Sequence, residues 1–234
     1  MNNLSEKALY FVSKPVVMTY TGTMLKMDVK KHSPFPAGAR IIAANHPSTT
    51  DPFFVASMLR SQSFILINNL LFQVPVLGEY LRRSGHIPVQ AGCGAAAIES
   101  AVAHLKAGHT VIIFPEGDLS PLEGGFQRAR TGVARLALLS GAPVIPVGIH
   151  LARERIHSIR SNVRGVVEYG RWYLRGPYHI TVGSPLHFSG SPEDRPHVRI
   201  VADRVMHQII ELAHESENRQ NRSSGALSGV FETL

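Results

Sequence analysis

The stretch Asn45-His46-Pro47-Ser48-Thr49-Thr50-Asp51 sets a histidine five residues ahead of an aspartate, directly after the apolar run Ile41-Ile42-Ala43-Ala44. A buried strand that ends in a polar turn is a place where a reactive side chain can be presented. A carboxylate beside an imidazole fixes its tautomer and stabilises the imidazolium that forms on proton uptake. His46 oriented by Asp51 is therefore a candidate general base, able to take a proton from a hydroxyl or amine nucleophile. The same residues admit a plainer use. Asp51-Pro52 has the form of a helix start, with aspartate at the N-cap and proline at the first helical position. The two uses are compatible, because a carboxylate at an N-terminal turn is held rigidly.

A second stretch, Phe114-Pro115-Glu116-Gly117-Asp118-Leu119-Ser120, repeats this layout after the apolar run Thr110-Val111-Ile112-Ile113. In α/β sheets ligands gather at the carboxyl ends of strands, so the two corners face one crevice if their strands are neighbours. Gly117 allows a positive φ or a close backbone approach. Glu116 is a candidate for holding a substrate hydroxyl; an ordinary Pro-Glu-Gly turn is the alternative. A third stretch, Ala142 to Ile149, is apolar and carries Pro143 and Pro146 at positions a central strand rejects. It is expected as an irregular or edge strand, lining an apolar surface or packing in the core.

The elements that must position these corners alternate. Strands are expected at Thr23 to Val29, Arg40 to Ala44, Ser63 to Ile67, Gly85 to Val89, Thr110 to Phe114, Val166 to Leu174 and His179 to Val182. Helices are expected at Pro52 to Arg60, Val76 to Arg83, Ala95 to Ala107, Arg128 to Leu139 and Ile200 to His214, two of them stopped by Gly108 and Gly141. Fully apolar strands between helices predict an α/β fold, a layered sheet flanked by helices and buried on both faces. From Glu215 the chain turns polar and loses periodicity, which predicts a mobile tail over 215–234.

The bulk properties narrow the function. The chain has 234 residues and no composition break, which favours one domain. A single cysteine, Cys93, excludes an internal disulfide framework and a cysteine-based zinc cluster. Twelve histidines form no ligand pair with helical spacing beside a carboxylate, so no metal is expected. The net charge of +7 suits an anionic membrane surface, nucleic acid or an acidic substrate. The cations are dispersed, densest at Arg153-Arg155-Arg160-Arg164 and Arg171-Arg175, without a basic tail or alternating aromatics, so nucleic acid is disfavoured. No apolar run is long enough to span a bilayer, and the N-terminus lacks the form of a secretory signal. Residues 1–22 carry many apolar side chains interrupted by Pro15. They are expected as an amphipathic helix, lying in a membrane interface or packed on the domain.

Three ordered blocks, Asn45-His46 with Asp51, then Phe114-Pro115-Glu116-Gly117, then Val144-Ile145-Pro146-Val147-Gly148-Ile149, resemble those of the glycerolipid acyltransferase family. Its best-known members make phosphatidic acid from 1-acylglycerol-3-phosphate. The spacing of 70 residues between His46 and Glu116 fits that family, and the likeness extends from about Thr23 to His214. The resemblance implies a glycerol-phosphate acyltransferase-like fold with the acyltransferase domain at 23–214. It implies transfer of an acyl group from a thioester, acyl-CoA or acyl carrier protein, to a hydroxyl of a lysolipid or lipid alcohol. His46 and Asp51 are then the expected catalytic pair. Asn45, Phe114, Pro115, Glu116, Gly117, Arg128 and Arg130 are the expected substrate contacts. Direct transfer needs no cofactor and no covalent intermediate, in keeping with the lack of a Gly-x-Ser-x-Gly elbow. Backbone N–H groups after Ala44 and Phe114, or a basic side chain, are candidates for stabilising the thioester oxygen. The expected location is cytoplasmic, peripheral on the inner face of the membrane. An acyl thioesterase and a non-catalytic lipid-binding relative are the alternatives.

Two positions depart from the family pattern. Phosphate-accepting members carry an arginine two residues after the Glu-Gly pair, where this chain has Leu119, and a basic residue six positions after a glycine, where it has Ala91 following Gly85. Neither side chain offers the planar donor fork that grips phosphate. Either other cations take over, Arg82, Arg83, Arg128 and Arg130 being nearest in sequence, or the acceptor is a larger-headed lysophospholipid or another lipid alcohol. Loss of both arginines together favours the second.

Overall fold

The computed structural model describes residues 3–231 except Arg164, and the side chains of residues 12–222 with the same exception. In chain order the elements are α1 (Asn3–Thr23), β1 (Asp28–Lys31), β2 (Arg40–Ala44), α2 (Asp51–Ser57), β3 (Ser63–Asn68), α3 (Leu77–Arg83), β4 (Ile87–Val89), α4 (Gly94–Lys106), β5 (Thr110–Ile113), α5 (Gly132–Ser140), β6 (Val144–Leu151), β7 (Ile156–Val163), β8 (Val166–Tyr173), β9 (Tyr178–Val182) and α6 (Arg195–Phe231). Seven strands form one sheet in the order β1-β9-β6-β2-β5-β3-β4, and β7 and β8 form a separate hairpin. Neighbours in the large sheet are parallel except β6 and β9. Among the described residues no helix is long and apolar enough to cross a membrane.

The sheet is covered on both faces, which is why its central strands are apolar throughout. Side chains alternate between faces along a strand. Ile41 and Ala43 of β2 join the core that contains α4, α5 and α6, while Ile42 and Ala44 join the core that contains α2 and α3. In β5, Val111 and Ile113 face the first core and Ile112, with Phe114 beyond the strand end, the second. β2 and β5 are parallel neighbours with Ala43 opposite Ile113, so the chain leaves both strands side by side. The two polar corners therefore emerge at one edge of the sheet. On the other face α6 lies directly on β6. A Cβ at Gly148 would come within 2.0 Å of the Ala213 nitrogen, so the helix backbone can approach only because this residue has no side chain.

Several elements differ from the sequence expectations, each for a local reason. The strand expected at Thr23 to Val29 is divided. α1 runs to Thr23, Lys26 turns the chain at φ 44°, and pairing begins at Asp28. The helix expected from Arg128 begins only at Gly132, because residues 127–130 run along the second corner. There Gln127 N donates to Glu116 and Arg130 N donates to the Pro115 carbonyl. The segment expected at a sheet edge is central. β6 lies between β9 and β2. Its ladder to β9 starts at Val147, so the missing N–H of Pro146 falls in a break, where the Pro146 carbonyl still accepts from Gly183 N.

The tail expected over 215–234 is helical to Phe231, with 232–234 outside the described residues. Its polar side chains are used on the sheet. Ser216 Oγ donates to the Gly148 carbonyl at 3.0 Å, Glu215 pairs with Lys30 and His32, and Arg219 donates to Asp28 and to the Ile180 carbonyl. Helix α1 spans the N-terminal apolar stretch with Pro15 inside it.

His86, just before β4, is half-buried and accepts a hydrogen bond from Ile65 N at 3.3 Å. Burial lowers its pKa from 6.5 to about 4. Between those values the unfolded chain binds a proton that the folded protein does not. Stability is therefore fully present above pH 6.5 and falls by about 3 kcal/mol toward pH 4. His86→Gln keeps an acceptor for Ile65 N and does not titrate. Urea midpoints measured across this window should fall less steeply for the variant; equal slopes would show that His86 does not carry the effect.

Candidate active site

The first corner is organised by Asp51, whose side chain is fully buried at the start of α2. One carboxyl oxygen, Oδ2, lies 3.0 Å from His46 Nδ1 and accepts from Ser48 N at 2.7 Å. The other, Oδ1, accepts from the Tyr178 hydroxyl at 2.7 Å. Burial pushes the Asp51 carboxyl upward, against the opposing pull of these three donors. Burial and the facing carboxylate together push Tyr178 well above the usual tyrosine range, so its hydroxyl stays a donor. The helix start lies one residue earlier than expected: Thr50 is the N-cap, and Asp51 and Pro52 are the first two residues of α2. Asp51 uses both oxygens on the His46 ring, the preceding turn and β9.

His46 stacks on Phe114 from the neighbouring corner, with ring centroids 4.1 Å apart and planes 24° from parallel. Nδ1 is held by Asp51 and one ring face by Phe114, while among the described residues Nε2 has no hydrogen-bond partner; the side chain is 17% exposed. The second corner is tied to the first through backbone. Glu116 is buried and accepts from His46 N at 3.0 Å, Ser120 Oγ at 2.6 Å and Gln127 N at 2.7 Å. Ser120 N returns a bond to the His46 carbonyl at 2.8 Å. Gly117 has a φ of 70°, and a side chain there would meet the Arg130 guanidinium at 2.4 Å. β8 closes a third side. Thr49 N donates to the Arg171 carbonyl at 2.8 Å, Arg171 N donates to Thr49 Oγ1 at 2.9 Å, and Arg171 Nη1 reaches the Ser120 carbonyl.

Thus His46, Asp51, Phe114, Pro115, Glu116 and Gly117 converge. Asn45 does not face the crevice. Its amide donates to the Ile149 carbonyl at 2.9 Å and accepts from Ile149 N at 2.7 Å, extending the β2–β6 ladder by a side chain. Arg130 lies along Gly117 and is exposed, as is Arg128. Many backbone N–H groups expected as oxyanion donors are engaged internally, on Asp51, Glu116, Arg171, Phe114 and Asp118. Ser48, Ser120 and Tyr178 were not singled out by sequence, and Arg171 appeared there only as part of a basic cluster. Ser48 and Ser120 lie inside the two corner motifs, whereas Tyr178 is 127 residues from Asp51 and carries no local sign of its partner.

A chain with this pair of corners can be compared with known proteins. A model of the family described as Acyltransferase matches residues 26–150. The chain belongs to the acyltransferase family. Among curated relatives, a 1-acyl-sn-glycerol-3-phosphate acyltransferase of Limnanthes douglasii is 28% identical over 144 residues, 58% of this chain and 50% of that protein. One of Pseudomonas aeruginosa is 29% identical over 127 residues, 53% of this chain and 49% of that protein. The chain thus matches over about half the length of these relatives. Among solved structures, the 1-acyl-sn-glycerophosphate (LPA) acyltransferase PlsC from Thermotoga maritima superposes with a TM-score of 0.59. It covers 89% of this chain and 83% of its own at 24% identity, which establishes a shared fold.

The buried Glu116 carboxylate joins the two corners of this acyltransferase-family chain. Glu116→Gln places an amide where three protein donors point, so one N–H or O–H loses its acceptor. A loss of about 2 kcal/mol is expected in urea unfolding, the range for a hydrogen bond to a charged group. An unchanged midpoint would show that the corner does not depend on the charge.

Proposed function

We propose that this chain moves an acyl group from an acyl thioester, acyl-CoA or acyl carrier protein, to a hydroxyl of a lysophospholipid or related lipid alcohol. The reading rests chiefly on one observation: the fully buried Asp51 carboxyl holds His46 Nδ1 at 3.0 Å, while among the described residues Nε2 has no hydrogen-bond partner. In that arrangement Nε2 accepts the acceptor's hydroxyl proton as its oxygen attacks the thioester carbonyl. The carbon–sulfur bond then breaks, and the thiolate takes the proton back from the imidazolium. No covalent enzyme intermediate is needed. The names of the curated relatives favour 1-acylglycerol-3-phosphate as acceptor.

The acceptor is a lipid, so the reaction belongs at a membrane surface. The net charge of +7 and the exposed Val12 and Val16 of α1 favour docking on the anionic inner face of a cytoplasmic membrane. A general base contributes about 10²–10⁴-fold, so His46→Ala should lower transfer by at least about a hundredfold; the protein should stay folded by circular dichroism, with a lower melting temperature because Asp51 loses one donor. Products separated by mass spectrometry distinguish the outcomes. Acylated acceptor supports transferase activity, and free fatty acid alone means hydrolysis. A folded, fully active His46→Ala protein would remove the base from the scheme.

A further inference from the structure

The catalytic turn is flanked by two arginines that serve no carboxylate. Arg153 follows β6 and Arg171 lies on β8, and both are half-buried. Arg171 Nη1 donates to the Ser120 carbonyl and Arg153 Nη1 to the Pro121 carbonyl. Both guanidiniums thus border the turn whose Ser120 bonds to His46 and Glu116. Some other arginines are ion-paired, Arg82 and Arg83 with Glu79, Arg199 with Asp203 and Arg219 with Asp28, whereas half-buried Arg40 donates to Thr110, Ser61 and the Pro36 carbonyl. Among the described residues no carboxylate lies within ion-pair distance of Arg153 or Arg171. The nearby Glu116 has its oxygens occupied by His46 N, Ser120 Oγ and Gln127 N.

Two guanidiniums brought together and partly out of water, with no carboxylate in direct contact, repel one another. Burial lowers the pKa of Arg153; Glu116, and more weakly Glu217 and Glu123, oppose the shift, and the neighbouring Arg171 adds to it. Each guanidinium has donated only from Nη1, so the rest of its fork remains available. A phosphate offers several acceptor oxygens and matches such a fork bidentately. The turn itself supplies no cation, since Leu119 is apolar and Asp118 Oδ1 accepts from Leu119 N. Arg128 and Arg130 are exposed.

We infer that Arg153 and Arg171 form a phosphate subsite beside the His46–Glu116 turn, which binds the phosphate of a substrate undergoing acyl transfer. The phosphate belongs either to a phosphomonoester acceptor or to the nucleotide of the donor. This rests on the reading of the site as an acyltransferase centre.

The test uses the full chain as wild type, Arg153→Gln, Arg171→Gln and Arg171→Lys. Acceptors are 1-acylglycerol-3-phosphate and the uncharged 1-monoacylglycerol; donors are acyl-CoA and acyl-pantetheine, which lacks the nucleotide. If the acceptor's phosphate is bound, the two glutamine variants raise KM at least tenfold for the phosphorylated acceptor only, with kcat nearly kept. Lysine at 171 restores part of it. If the donor's phosphates are bound, KM rises for acyl-CoA with either acceptor and not for acyl-pantetheine. Either pattern supports the subsite. Equal losses on all four substrates would mean that the arginines only shape the turn, and would overturn it, as would unchanged KM values throughout. Binding of inorganic phosphate, followed by calorimetry, separates this inference from the activity. Saturable binding that both glutamine variants lose supports the subsite even if no acyl transfer is found. Absence of binding together with phosphate-insensitive kinetics refutes it.

Discussion

A carboxyl group with no exposure to water must be met by donors or it will not stay charged. For Asp51 those donors come from three places in the chain: the ring of His46, the turn at Ser48, and Tyr178 on β9. Removing any one leaves acceptor capacity buried and unmet. The aspartate is thus a junction between the turn after β2 and a strand on the far side of β6. This fixes His46 more firmly than a five-residue spacing alone could do. The catalytic reading depends on that fixation, because an imidazole free to rotate would direct neither nitrogen.

The sheet supplies the second constraint. β2 and β5 are parallel neighbours, so their ends release two turns at the same edge, and Glu116 locks one turn to the other through His46 N and Ser120. The stacking of His46 on Phe114 follows from that proximity and covers one face of the ring. β8 adds a third wall through Thr49 and Arg171. The crevice is therefore walled by polar groups whose hydrogen bonds are largely internal, with Nε2 of His46 and the remaining donors of the two arginine forks left without a partner among the described residues.

Much of this was legible because it is local. The run from Ile41 to Asp51 announces a buried strand, a turn and a helix start within eleven residues, and Phe114 to Gly117 does the same after β5. What was not legible depends on distant pairing. Tyr178 looks like an ordinary strand residue until β9 is placed beside β6. Arg153 and Arg171 show in sequence only as part of a basic stretch; their position at the turn follows from the end of β6 and from β8. Asn45 lies within a motif but uses its amide on the Ile149 backbone, a role that only the β2–β6 register reveals. Pro146 argued for an edge strand because the break in the β9 ladder that admits it is a tertiary feature. The polar residues after Glu215 looked unstructured because their partners, Lys30, His32 and the Gly148 carbonyl, lie on the sheet.

The tautomer of His46 tests the arrangement most directly. Nitrogen NMR of isotopically labelled histidine, with the His46 resonances assigned by their loss in His46→Gln, reports which ring nitrogen carries the proton. A ring held by Asp51 should show a protonated, hydrogen-bonded Nδ1 and a bare Nε2 in its neutral form. A proton on Nε2, or averaging between the two tautomers, would contradict the role assigned to Asp51 and leave His46 without a defined base nitrogen.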